Sequence, residues 1–92
     1  MYLEIVSPEA TLFAGDVTSV TVPGINGEFQ MLKDHAPIVS LLQEGKVKIS
    51  GNISLEREYA SKFTKDAEGN TVLQISSGTI ELKNNKVIVL AD

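Results

Sequence analysis

The segment TIELKNNKVIVL (residues 79–90) carries the clearest structural pattern in the chain. Residues 79–83 alternate between polar and apolar side chains, which is typical of a β-strand with one exposed face. Asn84 and Asn85 follow, and two asparagines in succession predict a two-residue hairpin turn because asparagine tolerates positive φ. Residues 86–90 are apolar on both faces, which predicts a central strand covered on both sides.

Short apolar segments of the same kind recur toward the N-terminus, separated by Gly, Pro and Asn. In residues 11–22 the apolar face changes, so we expect a bulge or break near Gly15-Asp16. Pro23-Gly24 and Asn26-Gly27 bound a predicted tight connection. About seven to ten strands at this spacing indicate an all-β fold, a β-sandwich or a barrel. The further predicted strands are 2–6, 28–32, 38–42, 46–50 and 71–76.

Residues 51–70 allow two structures. Leu55, Tyr59 and Phe63 recur every four residues, which fits both a helix face and one face of a strand. Ser54 could cap a short helix. The alternative is an extended hairpin that turns at residues 67–70.

The composition limits the class of protein. A length of 92 residues predicts one domain over residues 1–92. The net charge of −4, with scattered basic residues, argues against a nucleic-acid partner. No apolar run approaches the roughly 20 residues that span a bilayer, and Met1-Tyr2-Leu3-Glu4 does not begin like a signal peptide. We therefore expect no direct lipid insertion, and any membrane association to pass through a partner.

The residues that support catalysis are scarce. The chain has one histidine, His35, and no cysteine, which is too few for an imidazole or thiolate metal site. No sharp nucleophile elbow surrounds a serine, and Gly24-Ile25-Asn26-Gly27 lacks the lysine and helix of a phosphate-binding loop. We expect no catalytic residue, no cofactor and no small-molecule substrate.

Five motifs taken in order resemble the epsilon subunit of the F-type ATP synthase. The motifs are Ile5-Val6-Ser7-Pro8-Glu9, Leu12-Phe13-Ala14-Gly15-Asp16-Val17, Gly27-Glu28, His35-Ala36-Pro37-Ile38 and Val89-Leu90-Ala91-Asp92. The resemblance implies the N-terminal β-sandwich of that subunit, a flattened barrel of about ten strands. It also implies a non-catalytic rotor subunit of the central stalk. Its partners would be the gamma subunit and the c-ring, at the cytoplasmic face of a bacterial inner membrane.

The resemblance also implies contact residues. Glu28 matches an acidic loop that faces the c-ring, where a partly desolvated pair with a basic residue would define the position. The segment His35-Ala36-Pro37 matches a region near both gamma and the c-ring. Ser7 matches a gamma contact, and Ser40 lies on the same edge. A stalk under load needs an apolar patch toward gamma, for which we expect Ile38 and Leu42.

The sequence departs from the family pattern in four places, one of which is that residues 51–70 look longer than usual. Phe29-Gln30 replaces a pair that is usually small or apolar, so the strand must accept a larger side chain. Ser77 stands where the family commonly has glycine, and a positive φ there would strain it. The chain ends at Asp92, where many relatives continue into a helical hairpin, so we expect neither inhibition by that hairpin nor ATP binding.

A different class of function is also compatible with a small β-sandwich. A stand-alone module that binds a peptide or a sugar would need an exposed aromatic platform. The aromatic residues that could build it are Tyr2, Phe13, Phe29, Tyr59 and Phe63.

Overall fold

A computed structural model describes residues 1–92 of the chain. It contains ten β-strands and one short 3-10 helix at Ala60–Lys62, and no α-helix. The strands are β1 (Tyr2–Val6), β2 (Thr11–Asp16), β3 (Ser19–Gly24), β4 (Gly27–Leu32), β5 (Ile38–Leu42), β6 (Gly45–Ser50), β7 (Phe63–Lys65), β8 (Thr71–Ile75), β9 (Gly78–Lys83) and β10 (Lys86–Ala91).

The strands pair into one sheet that curls around a single core. One half, the first layer, has the strand order β2-β1-β10-β9-β5, and the other half, the second layer, has the order β4-β3-β6-β8-β7. The layers join where Gly24 of β3 pairs with Leu42 of β5. This architecture confirms the predicted all-β, ten-stranded flattened sandwich.

Side-chain alternation builds the core from both layers. Leu3, Ile5, Val87 and Val89 point inward from the parallel pair β1 and β10. Strands of the second layer face them with a matching set of buried residues. That set is Val20, Val22, Met31, Val47, Ile49, Leu73 and Ile75. The fold thus has one inner face per layer, and each layer keeps an outer face.

The β9–β10 hairpin has the predicted turn. Asn84 and Asn85 have φ values of 51° and 62°, and Lys83 pairs with Lys86 across them. The prediction that residues 86–90 are covered on both faces is wrong. Strand β10 is central, lying between β1 and β9, but nothing packs on its outer face, so Leu90 remains 51% exposed.

Residues 51–70 contain a part of each alternative, the 3-10 helix at Ala60–Lys62 and the short strand β7. Phe63–Lys65 pairs with β8, and the connection between them turns at residues 66–70. No α-helix forms, and Ser54 caps none. Phe63 is buried while Leu55 and Tyr59 pack against the core, so the four-residue spacing marks the side chains that face inward.

The connections near β3 lie close to their predicted places. Strand β2 ends at Asp16 and β3 begins at Ser19, so the predicted break is present. Pro23 and Gly24, however, belong to β3 and pair with β4. The turn itself consists of residues 25–26.

The departures at Phe29 and Ser77 are accommodated locally. Phe29 is half-buried and packs against the core, on the side where Gly24 has no side chain. Ser77 is not among the residues with positive φ, so its backbone carries no left-handed strain.

Candidate partner-binding surface

The outer face of the first layer carries a line of directly paired, mostly apolar residues, the apolar row. Leu41 pairs with Thr79, Thr79 with Leu90, and Leu90 with Val6, across strands β5, β9, β10 and β1. Leu41 is 57% exposed and Leu90 is 51% exposed. At the spacing of neighbouring strands, this apolar row extends over roughly 15 Å.

A groove of about 650 Å³ lies along the apolar row at one end of the sandwich. Exposed Ile25, from the β3–β4 turn, lines one side. Ser7, Ser77 and Asp92 provide polar groups at the rim, and the Ser77 hydroxyl donates a hydrogen bond to the Asp92 carboxylate. The groove therefore has an apolar floor and a polar margin, which is the usual layout of a protein-binding surface.

Charged residues lie next to the apolar row on the same outer face. The neighbouring line of cross-strand partners contains Val39, Glu81, Ile88 and Glu4. Beyond it, the Lys86 ammonium lies 3.3 Å from the Glu4 carboxylate and 5.8 Å from the centre of the Tyr2 ring. A partner seated on the apolar row would thus lie beside two carboxylates, those of Glu81 and Glu4.

Strand β5 presents a different face from the one expected. Ile38, Ser40 and Leu42 turn inward, and Leu42 is only 4% exposed. Leu42 is thus a core residue beneath the groove, and the expectation that it forms part of an exposed patch is corrected. Val39 is 75% exposed and, with Leu41, occupies the outer face. The sequence could not indicate this choice, because both faces of the strand carry large apolar residues.

Ser7 lies at the end of the sandwich where the groove is. Its backbone N–H donates to the Ala10 carbonyl at 2.8 Å, and its hydroxyl donates to the same carbonyl at 3.2 Å. The Ala10 N–H in turn lies 3.3 Å from the Ser7 hydroxyl oxygen. These contacts hold a tight turn between β1 and β2 and orient Ser7 toward the groove that Leu42 also lines.

Glu28 and His35 lie toward opposite ends of the same strand, β4. Glu28 is the second residue of β4 and is exposed, with its carboxylate 3.7 Å from the Lys48 ammonium. His35 is in the exposed loop that follows β4, with Ala36 and Pro37. Its ring Nδ1 lies 2.7 Å from the Ala36 carbonyl. The structure does not bring these two residues together, so a single flat interface would not include both.

The polar groups do not converge into a reactive centre. No cluster of three or more histidine and acidic side chains could hold a metal ion. His35 has no carboxylate among its hydrogen-bond partners. No helix combines the length and the apolar character that crossing a lipid bilayer requires.

The aromatic side chains do not form an exposed platform. Phe13 and Phe63 are buried, while Phe29 and Tyr59 are half-buried against the core. Tyr2 alone is exposed, at the far end of β1 from the groove. No observation favours the alternative of a module that stacks sugars or peptide rings.

Comparison with known proteins identifies the family. The family described as ATP synthase, Delta/Epsilon chain, beta-sandwich domain matches residues 1–92, the whole of the chain. The chain belongs to this family. Its members in turn include relatives that are similar over nearly the full length of the chain.

Bacterial ATP synthase epsilon chains are among these delta/epsilon relatives. The epsilon chain of Chlorobium limicola is 37% identical over 90 residues, which cover 98% of this chain and 86% of that one. The epsilon chain of Campylobacter fetus is 40% identical over 92 residues, all of this chain and 60% of that one. The chain thus spans most of the first relative and little more than half of the second.

Solved structures share the delta/epsilon fold. A chain in the mitochondrial ATP synthase central stalk and c-ring of Tetrahymena thermophila superposes with a TM-score of 0.72. The match covers 99% of this chain and 62% of that chain at 13% identity. A chain from the Euglena gracilis mitochondrial ATP synthase gives a TM-score of 0.71 at 17% identity, covering 97% of this chain and 48% of that one. At these identities the likeness establishes the fold.

Proposed function

We propose that this domain is a non-catalytic rotor subunit of a proton-translocating F-type ATP synthase, linking the gamma subunit to the c-ring. The observation that carries the proposal is the exposed apolar row on a member of the delta/epsilon family. A domain with no converging reactive groups and an unpartnered apolar line is suited to binding other subunits. Its role is to transmit torque, so that proton flow through the membrane sector drives ATP synthesis elsewhere in the complex.

The gamma subunit docks on the outer face along β5 and the groove. Leu41, Leu90 and Ile25 are the apolar anchors, because they are exposed and adjacent. Val39 extends this surface along β5 toward the His35-Ala36-Pro37 loop. Ser7 contributes a polar group at the rim. Ile38, Ser40 and Leu42 support the surface from beneath, since they occupy the inward face of the same strand.

The c-ring contact is assigned to Glu28. Its carboxylate is exposed and its one ion pair, with Lys48, is long and open to solvent, so a basic side chain of the ring can replace Lys48 at little cost. His35 is kept with the gamma surface, because its loop leads directly into β5. Glu28 and the His35 loop, toward opposite ends of β4, then contact different partners.

The cellular location follows from these partners. A subunit held between gamma and the c-ring is peripheral, at the cytoplasmic face of a bacterial inner membrane. Its relatives are bacterial ATP synthase epsilon chains, which supports this location. On this proposal its partners are proteins of the complex.

The test of the gamma surface is a titration of the domain with the purified gamma subunit of the same organism. Leu41→Gln should weaken the complex by roughly tenfold, because it removes a central apolar anchor. Leu32→Gln is the matched control. Leu32 is 53% exposed, like Leu41, but it lies in β4 of the second layer. Equal affinity of wild type and Leu41→Gln, or no complex with wild type at micromolar concentrations, would overturn the assignment.

The test of the c-ring contact uses reconstituted vesicles that contain the whole complex. Glu28→Lys should reduce proton-driven ATP synthesis, because it places a like charge opposite a basic loop. The melting temperature of the isolated domain should change little, since Glu28 makes only one exposed ion pair. A parallel loss of melting temperature and synthesis would instead make Glu28 a structural residue.

A further inference from the structure

Two segments that are far apart in sequence meet at the end of the sandwich away from the groove. One is the loop of residues 33–37, and the other is the β9–β10 turn. The Asp34 backbone N–H donates to Asn85 Oδ1 at 2.8 Å, and Asn85 Nδ2 donates to Asp34 Oδ1 at 3.0 Å. These reciprocal hydrogen bonds, the Asp34–Asn85 clamp, join residues 51 positions apart.

The loop has few other restraints. All of residues 33–37 are exposed. Their only backbone hydrogen bond to the rest of the chain runs from the His35 N–H to the Leu32 carbonyl, at 3.1 Å. Pro37 has no N–H to donate. The loop also crosses from the second layer to the first, so neither sheet holds it along its length.

Asn85, in contrast, is firmly held. Its carbonyl accepts a hydrogen bond from the Tyr2 N–H at 2.9 Å, which attaches the turn to β1. The turn also closes two paired strands, β9 and β10. The clamp therefore connects a weakly restrained loop to a rigid part of the sheet.

The backbone conformation at the clamp allows the side-chain hydrogen bonds to be removed without changing the path of the backbone. Asp34 and Asn85 have φ values of 65° and 62°, a region that asparagine, aspartate and glycine tolerate. Glycine at either position would keep the backbone shape. Asn85→Gly would remove both hydrogen bonds of the clamp, whereas Asp34→Gly would remove only the one that the Asp34 carboxylate accepts. Asn84, with φ of 51°, occupies the same turn and makes no side-chain hydrogen bond, so it offers a matched control.

We propose that the Asp34–Asn85 clamp holds the His35-Ala36-Pro37 loop in one conformation before a partner binds, which makes Asn85 a positioning residue for docking. A loop that is already ordered loses less conformational entropy when it enters an interface. The docking half of this inference rests on the proposed function, whereas the ordering of the loop does not.

The ordering is tested by amide hydrogen exchange, measured by NMR on the isolated domain. In Asn85→Gly the Asp34 amide should exchange roughly three- to tenfold faster, because its acceptor is gone. In Asn84→Gly its rate should equal that of wild type. An unchanged Asp34 rate in Asn85→Gly would overturn the clamp.

The docking is tested by titration of the same variants with purified gamma subunit. Asn85→Gly should weaken the complex roughly three- to tenfold while its melting temperature stays close to that of Asn84→Gly. Asp34→Gly should weaken it no more than Asn85→Gly does, because the N–H of residue 34 can still donate to Asn85 Oδ1. The double variant should bind no more weakly than Asn85→Gly, because both residues act through one clamp. Equal affinity of Asn85→Gly and Asn84→Gly would overturn the positioning role. Failure of wild type to bind gamma would overturn the proposed function and the docking half, while the exchange rates still decide the clamp.

Discussion

At the scale of single residues, Gly24 and Phe29 form a matched pair on neighbouring strands. A Cβ atom on Gly24 would lie 2.7 Å from the Phe29 ring and 2.8 Å from the Gly27 carbonyl oxygen. Both distances are shorter than real Cβ contacts, so a side chain at position 24 must displace its neighbours. Gly24 does not have a positive φ, and its requirement is therefore for space. This explains how β4 accepts a phenylalanine at position 29.

Gly24→Ala should lower the free energy of unfolding by about 1–3 kcal/mol, because the added methyl overpacks this contact. Denaturant unfolding of the two single variants and of Gly24→Ala/Phe29→Leu measures the coupling. The double variant should be more stable than the sum of the single effects predicts, since leucine relieves the ring contact. Strict additivity would show that the Gly27 carbonyl alone causes the loss.

At the scale of elements, the β7–β8 hairpin depends on one carboxylate. Asp66 accepts hydrogen bonds from the Asn70 side-chain amide at 3.0 Å and from the backbone N–H groups of Asn70 and Glu68, each at 2.9 Å. The Asn70 side chain, followed by these N–H groups, holds the pKa of Asp66 below its usual range. The turn is thus stabilised by the ionised form of Asp66.

The sign of this shift predicts an acid-sensitive hairpin. A folded pKa below the unfolded value of about 4 gives stability that is present above that pH and lost as the pH falls through the folded pKa. The Asn70 amide proton, followed by NMR, should titrate with a midpoint below the usual range for aspartate. The step should vanish in Asp66→Asn and persist in the control Glu68→Gln. A midpoint at the ordinary aspartate value in wild type would contradict the stabilising role.

At the scale of the whole molecule, the last strand completes the core. Strand β10 lies between β1 and β9, and pairs in parallel with β1 from the start of the chain. It buries Val87 and Val89 completely. Because its partners include the first strand, the first layer cannot close until the end of the chain is present.

Truncation after Asn85 should therefore abolish cooperative unfolding, which calorimetry measures. Truncation after Ala91 is the control, because the hydrogen bonds of Asp92 are made with Ser77 alone, at the rim. The loss of Asp92 should lower the melting temperature by no more than about 5 °C. A cooperative transition in the chain that ends at Asn85 would contradict the closing role of β10.

The sequence alone determined the features that depend on neighbouring residues. The alternation in residues 79–83, the Asn84-Asn85 turn and the break near Gly15-Asp16 each follow from local backbone preferences, and the structure confirms them. The strand content of an all-β domain follows from the same short-range patterns.

Only the tertiary structure decided which faces remain exposed and which distant groups meet. Both faces of strand β5 carry large apolar residues, and its pairing with β9 turns Leu42 inward and Leu41 outward. Both faces of strand β10 also carry large apolar residues, but no layer covers Leu90. The Asp34–Asn85 clamp joins residues 51 positions apart. These outcomes depend on strand order across the sheet, and no local pattern in the chain specifies that order.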